Sequence, residues 1–239
     1  MRLDEITYEH AESYREVIIP IGSVEQHGRA LPLGTDSIIA NEVGRRLASR
    51  KGMLVCPTIP FGFSTEHSSF PGTIDLGLDA FLSLVENVVI SLERDFELLY
   101  LVNFHGGNSA ALESLVKKIN SRRVHLIHFW RAARPVMERI TDQGAIGIEH
   151  AGEFETSLMQ YLRPELVAEE LSDTTDQSVS IGGRTHIRSW HTEEFTDDGS
   201  FGGARLASKG KGEVLCNETL DRMEEIIDDI RNEFRPERA

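Results

Sequence analysis

Glu25, His27, Asp36 and His105 are the residues whose types and spacing could do chemistry in this chain. Glu25 and His27 lie in Gly22-Ser23-Val24-Glu25-Gln26-His27, directly after the apolar run Val17 to Ile21. Two residues apart, they point the same way if the backbone is extended, because strand side chains alternate with period two. Asp36 follows in Pro32-Leu33-Gly34-Thr35-Asp36. His105 arrives from a second apolar run, Leu98 to Val102, which leads into Asn103-Phe104-His105-Gly106-Gly107-Asn108. Together they form a mixed oxygen and nitrogen set suited to zinc, manganese or iron. Each also has a plain structural reading. Asp36 precedes a helical run and can cap it, and a lone histidine can be a hydrogen-bonded interior residue. Shared placement favours ligation: both histidines follow apolar strands, where open α/β sheets collect their ligands.

Two further segments carry polar chemistry. In Glu149-His150-Ala151-Gly152-Glu153-Phe154-Glu155-Thr156-Ser157 the acidic residues stand at the entrance of a helix, where its dipole alone would favour them. In Ser64-Thr65-Glu66-His67-Ser68-Ser69-Phe70-Pro71-Gly72-Thr73, the side chains of Glu66, His67 and Ser69 either line a substrate pocket or simply turn the chain. Gly106-Gly107 is no P-loop, since no Lys-Ser/Thr follows, and it lacks the third glycine of a dinucleotide fingerprint. A nicotinamide-dependent dehydrogenase is therefore disfavoured.

The elements that must position these residues alternate between strand and helix, which predicts a largely parallel sheet covered by helices on both faces. Strands are expected over 17–21, 53–56, 98–102 and 124–129. Helices are expected from Ser37 through Leu47, from an N-cap at Asp79 through Phe96, over 110–119 and over 151–162. A last helix carries Leu220, Met223, Ile226, Ile227, Ile230 and Phe234 on one face. Between Pro164 and Gly212 the pattern loosens into a stretch longer than compact domains need, read as loop with short strands that covers the active site or contacts another subunit.

Composition bounds the rest. With 239 residues and 40% apolar content, one domain over 1–239 can bury a sizeable core. A formal net charge of −14 argues against nucleic-acid binding, which relies on basic residues displacing counterions. Cys56 and Cys216 show no CxxC spacing, so reduced, packed thiols and a cytoplasmic location are expected. No segment approaches the roughly 18 apolar residues of a membrane span, so no membrane partner is expected.

Taken together, these motifs resemble the creatininase (creatinine amidohydrolase) family. The resemblance rests on Gly22-Ser23-Val24-Glu25-Gln26-His27-Gly28, Leu31 to Asp36, Gly62 to His67 with Phe70-Pro71-Gly72-Thr73, Asn103 to Asn108, and His150 to Ser157. It implies a three-layer α/β/α fold, a homohexamer and two divalent ions (Zn, Mn or Fe). By position, Glu25 and His105 would serve one ion and His27 the other, with Asp36 bridging both. The implied reaction is hydrolysis of a non-peptide or cyclic amide by a metal-bridging hydroxide, with His150 passing a proton to the leaving nitrogen. Members that hydrolyse creatinine have a glutamate where this chain has Gly107, and Glu155 is the expected replacement in the ligand set. They also have an aromatic residue near the later histidine, whereas Gly144 to Glu149 contain none. Creatinine is therefore not the expected substrate. The alternatives are a deformylase of a pyrimidine nucleotide intermediate, a peptidase of a modified peptide, and a non-catalytic small-molecule-binding module.

Overall fold

The computed structural model describes residues 1–142, 150–171, 173–174 and 189–234. In chain order the elements are α1 (Tyr8–Ala11), β1 (Glu16–Ile21), α2 (Thr35–Lys51), β2 (Leu54–Val55), α3 (Leu78–Leu92), β3 (Leu98–Asn103), α4 (Ser109–Ile119), β4 (Val124–His128), α5 (Phe129–Ile140), α6 (Glu153–Leu162), β5 (Asp173–Thr174), β6 (Gly202–Gly203) and α7 (Lys209–Phe234). Strands β1 to β4 form one parallel sheet in the order β2-β1-β3-β4, and β5 pairs with β6 in a small antiparallel ladder.

Alternation along the central strands builds the layers. Ile18, Tyr100 and Val102 face a core shared with α2, α5, α6 and α7, while Val17, Ile19, Ile21, Leu99 and Leu101 face a second core shared with α3 and α4. A strand buried on both faces reads as an uninterrupted apolar run, and this is why β1 and β3 were legible. The chain passes from β1 outward to β2, then crosses back to β3 on the other side of β1. Strand order therefore reverses between β1 and β3, and the crevice beyond their carboxyl ends is the ligand position of this topology.

Several expected boundaries are corrected. The second strand contracts to Leu54–Val55. Asp79 does not cap its helix: Gly77, at φ 69°, precedes α3, and Asp79 lies in the first turn, where the helix dipole favours its charge. Asp36 likewise lies inside the first turn of α2, behind Gly34 at the cap position. Phe129 opens α5 rather than ending β4. Pro135 inside α5 masks that helix from a reading that treats proline as a breaker. The last helix starts earlier than its apolar stripe suggests, at Lys209. Among the described residues, no helix is long and apolar enough to cross a membrane. Gly144 to Glu149 and Gly182-Gly183 lie outside the described residues.

Candidate metal centre

After β1 the chain turns through residues 22–34 before entering α2, and this turn brings Glu25 and His27 against Asp36 in the first turn of α2. One ligand atom from each lies within 4.8 Å of the others, and all three residues are buried. The Asp36 carboxylate reaches both imidazoles: Oδ1 lies 3.2 Å from His27 Nε2, and Oδ2 lies 3.1 Å from His105 Nδ1. His105, delivered by the end of β3, also places Nε2 3.2 Å from Glu25 Oε2. Glu155 extends the cluster from the first turn of α6, with Oε2 3.8 Å from His27 Nε2. Its carboxylate also accepts the Ala151 N–H at 2.6 Å.

One nitrogen of each histidine is held by backbone. His27 Nδ1 donates to Glu25 O at 3.1 Å, and His105 Nε2 donates to Phe63 O at 3.0 Å. A carbonyl can only accept, so His27 Nε2 and His105 Nδ1 are the nitrogens left to face the Asp36 oxygens, while the protonated His105 Nε2 also lies beside Glu25. Outer hydrogen bonds of this kind fix the tautomer of a ligating histidine. A buried amide network supports the frame. Asn103 Oδ1 accepts from His105 N–H, Asn108 Nδ2 donates to both Gly22 O and Asn103 Oδ1, and Asn108 Oδ1 accepts from Phe63 N–H. The ends of β1 and β3 and the 62–64 loop are thereby tied at one point.

A cation fits these residues. Among the described residues, Glu25 Oε1, Glu25 Oε2 and Asp36 Oδ2 are buried and accept no hydrogen bond. Buried carboxylates are normally paired or bound to metal. Without an ion, protons compensate. Burial pushes His27 down, but Asp36, Glu155 and Glu25 together outweigh it and carry the imidazole up to about 10. His105 is likewise raised well above its usual value, because Glu25 and Asp36 overcome burial. Burial would raise Glu25, yet His105 foremost and then His67 and His150 hold it well below the ordinary carboxylate range. Burial raises Glu155 to about 7, against the pull of His27.

His150 and His67 stand next to this centre. The rings of His27, His150 and His67 follow one another at centroid separations of 4.3 Å, the latter pair stacked at 22°. His150 Nδ1 lies 3.9 Å and His67 Nε2 3.4 Å from Glu25 Oε1. Burial lowers His67 to about 4 and, with His27 and His67 beside it, holds His150 well below its usual value. Glu66 is half-buried, and burial raises its carboxyl. Ser69 is exposed and donates to the Glu193 carboxylate, so the loop delivers His67 to the cluster but not Ser69.

Gly107 has no room for a side chain. A Cβ there would lie 2.5 Å from both His105 Nε2 and Phe63 O, and 2.7 Å from Glu66 Oε1. The departure at this position is thus built into the packing, and Glu155 stands as a second carboxylate near His27, in addition to Asp36.

Sequence reasoning gave no role to Gln26, Asn103, Asn108, Thr192 or Gly199. Thr192 and Gly199 belong to the stretch expected to cover the site, and both touch it: Thr192 Oγ1 lies 2.8 Å from His67 Nδ1, and Gly199 O accepts from Gln26 Nε2 at 2.8 Å. Gln26 stands between two candidate ligands in the sequence, and that position was the one available signal.

A family model for creatininase, described as creatinine amidohydrolase, matches residues 4–227. The mycofactocin precursor peptide peptidase of Mycobacterium ulcerans is 37% identical over 164 residues, covering 65% of this chain but only 61% of that protein. The creatinine amidohydrolase of Pseudomonas putida is 29% identical over 239 residues, covering 92% of this chain and 90% of its own. A crystal structure of creatinine amidohydrolase superposes with a TM-score of 0.84 at 26% identity, covering 98% of each chain, and solved creatininases include a zinc–zinc form and a manganese form. The expected α/β/α architecture is met, the motif residues meet in one buried cluster, and the family match runs nearly end to end: this chain belongs to the creatininase family.

Proposed function

We infer that this protein is a metal-dependent hydrolase of a carbon–nitrogen bond in a small amide. One observation carries the reading: the two Asp36 oxygens face different imidazoles, His27 at 3.2 Å and His105 at 3.1 Å, inside a cluster where both Glu25 oxygens and Asp36 Oδ2 are buried without a hydrogen bond among the described residues. Glu25 and His105 would hold one divalent ion, His27 and Glu155 a second, and Asp36 would serve both. Zinc or manganese suits these donors, as does iron. Such ions supply an activated water near neutral pH and polarise a carbonyl.

The protein's own part is positioning and proton transfer. The Glu25 and Phe63 carbonyls orient His27 and His105. His150, whose Nε2 is 2.7 Å from Gln26 O, presents Nδ1 towards the cluster and would carry a proton to the leaving nitrogen. Its depressed basicity keeps it neutral and ready to accept.

Gly107 stands against creatinine as the substrate. A short or modified peptide is the second reading, favoured by the 37% identity to the mycofactocin precursor peptide peptidase, and a formamide is the third. We further propose a cytoplasmic homo-oligomer, hexameric by resemblance, in keeping with Cys56 and Cys216 being free and buried. Native mass measurement tests the assembly.

The deciding experiment is metal quantification on unsupplemented protein, followed by hydrolysis of lactams, formamides and short peptides by the same preparation. Two equivalents and turnover of one class are expected. Asp36→Ala should empty both sites, whereas His150→Ala should depress turnover with metal retained. Full metal content in Asp36→Ala would overturn the bridge. Binding without turnover of any amide would favour a non-catalytic module.

A further inference from the structure

Gln26 touches both imidazoles that adjoin the candidate metal centre. Its side-chain amide has only one consistent orientation: Oε1 lies 2.9 Å from the Gly28 N–H, which must donate, and Nε2 lies 2.8 Å from Gly199 O, which must accept. Gly199, at φ 86°, lies so close that a Cβ there would collide with the Gln26 amide, so the glycine is what permits this approach. One amide hydrogen remains, and it points at His67 Nδ1, 2.7 Å away. Nδ1 is thus an acceptor. Thr192 Oγ1, 2.8 Å from Nδ1 and 2.9 Å from Glu66 O, shares its single hydrogen between these two acceptors and so also approaches Nδ1 as a donor. A neutral imidazole that accepts at Nδ1 carries its proton on Nε2, and Nε2 is the nitrogen directed at the cluster, 3.4 Å from Glu25 Oε1. That separation exceeds the usual 2.7–3.2 Å range for an N–H···O bond, so Glu25 does not engage the donor.

The main chain of the same residue sets the opposite state in the neighbouring ring. His150 Nε2 lies 2.7 Å from Gln26 O, so the His150 proton is on Nε2 and its bare Nδ1 faces the cluster. Two stacked histidines therefore offer the site contrary functions. We propose that Gln26 locks these complementary tautomers, making His67 a fixed N–H donor to the carbonyl oxygen of the bound amide while His150 stays the proton acceptor. His67 transfers no proton in this role. Its hydrogen bond strengthens as negative charge gathers on that oxygen. With its proton on Nε2, His67 is also unsuited to ligate a metal through that nitrogen, although Glu25, His67 and His150 lie close enough to form a ligand group.

This inference rests on the amide-hydrolase reading but is testable apart from it. In zinc-loaded protein labelled with 15N-histidine, long-range nitrogen–proton correlation spectra should show His67 and His150 both protonated at Nε2. Gln26→Glu, whose carboxylate would accept from Nδ1–H, should move the His67 proton to Nδ1. Acetohydroxamate serves as an amide-like probe needing no turnover. His67→Leu should weaken its binding about 10- to 100-fold at unchanged zinc content, and His67→Gln, which keeps an N–H donor, should restore most of it. A wild-type His67 protonated at Nδ1, or equal acetohydroxamate affinity in His67→Leu, would overturn the inference. Failure to hydrolyse any amide, with these results intact, would instead overturn the hydrolase reading.

Discussion

Loading metal into the stripped protein should expel protons, and their number follows from the geometry of the cluster. At pH 7 His27, held at about 10 chiefly by Asp36, is neutral in roughly one molecule in a thousand. Removing that proton so that Nε2 can bind a cation costs about 4 kcal/mol at pH 7. His105 is also raised well above its usual value and contributes a second proton. Glu155, near 7, adds about half of one. His67 and His150 are depressed and contribute none. The expected release at pH 7 is therefore about 2 to 2.5 protons, and affinity should rise about 100- to 300-fold per pH unit near neutrality, because each competing proton contributes a factor of ten. The sign for folding runs oppositely in the stripped protein. His27 has a raised folded pKa, so its stabilisation is full below about 6.5 and is lost as pH rises through about 10. Calorimetric zinc titrations in buffers of differing ionisation enthalpy count the protons as the slope of observed against buffer enthalpy. A slope below one proton would refute the assignment of His27 and His105 as protonated partners of Asp36 and Glu25.

Three more outcomes are expected. Gly107→Glu should lower zinc content and melting temperature without conferring creatinine hydrolysis, since its Cβ would press on Phe63 O and His105; full zinc with an unchanged melting temperature would contradict this. Lys211→Met should destabilise by about 3–5 kcal/mol in denaturant titration, because Lys211 pairs with the fully buried Glu153. Adding Glu153→Gln should recover most of that loss, and a single-variant effect under about 1 kcal/mol would refute the pairing argument. His128 is lowered to about 4, first by burial and then by Arg131, so its contribution is present above about 6.5 and lost as pH falls towards 4, up to about 3 kcal/mol. The acid limb of the wild-type stability curve should be correspondingly steeper than that of His128→Asn, and parallel limbs would count against it.

How far the sequence reached depended on whether a signal was local. β1 and β3 announced themselves because strands buried on both faces must be apolar throughout, and α3 did so through its regular stripe of Phe81, Val85 and Val89. Glu25, His27, Asp36, His105, His150 and Glu155 were readable as an ordered series of motifs, since each is adjacent to a recognisable strand end or helix start. The α5 helix was not, because Pro135 argues against it locally and only packing against the sheet and α7 overrides that preference.

Residue types and their order along the chain determined the fold class and the family by themselves, and they nominated the candidate ligands. Tertiary structure alone decided which oxygen faces which nitrogen, that Gly107 has no space for a carboxylate, and that Gln26 reaches His67 on one side and His150 on the other. Those facts depend on contacts between segments as far apart as residues 26, 67, 150 and 199. Proton placement is set by such contacts, because a histidine's tautomer is fixed by its partner and not by its neighbours in sequence.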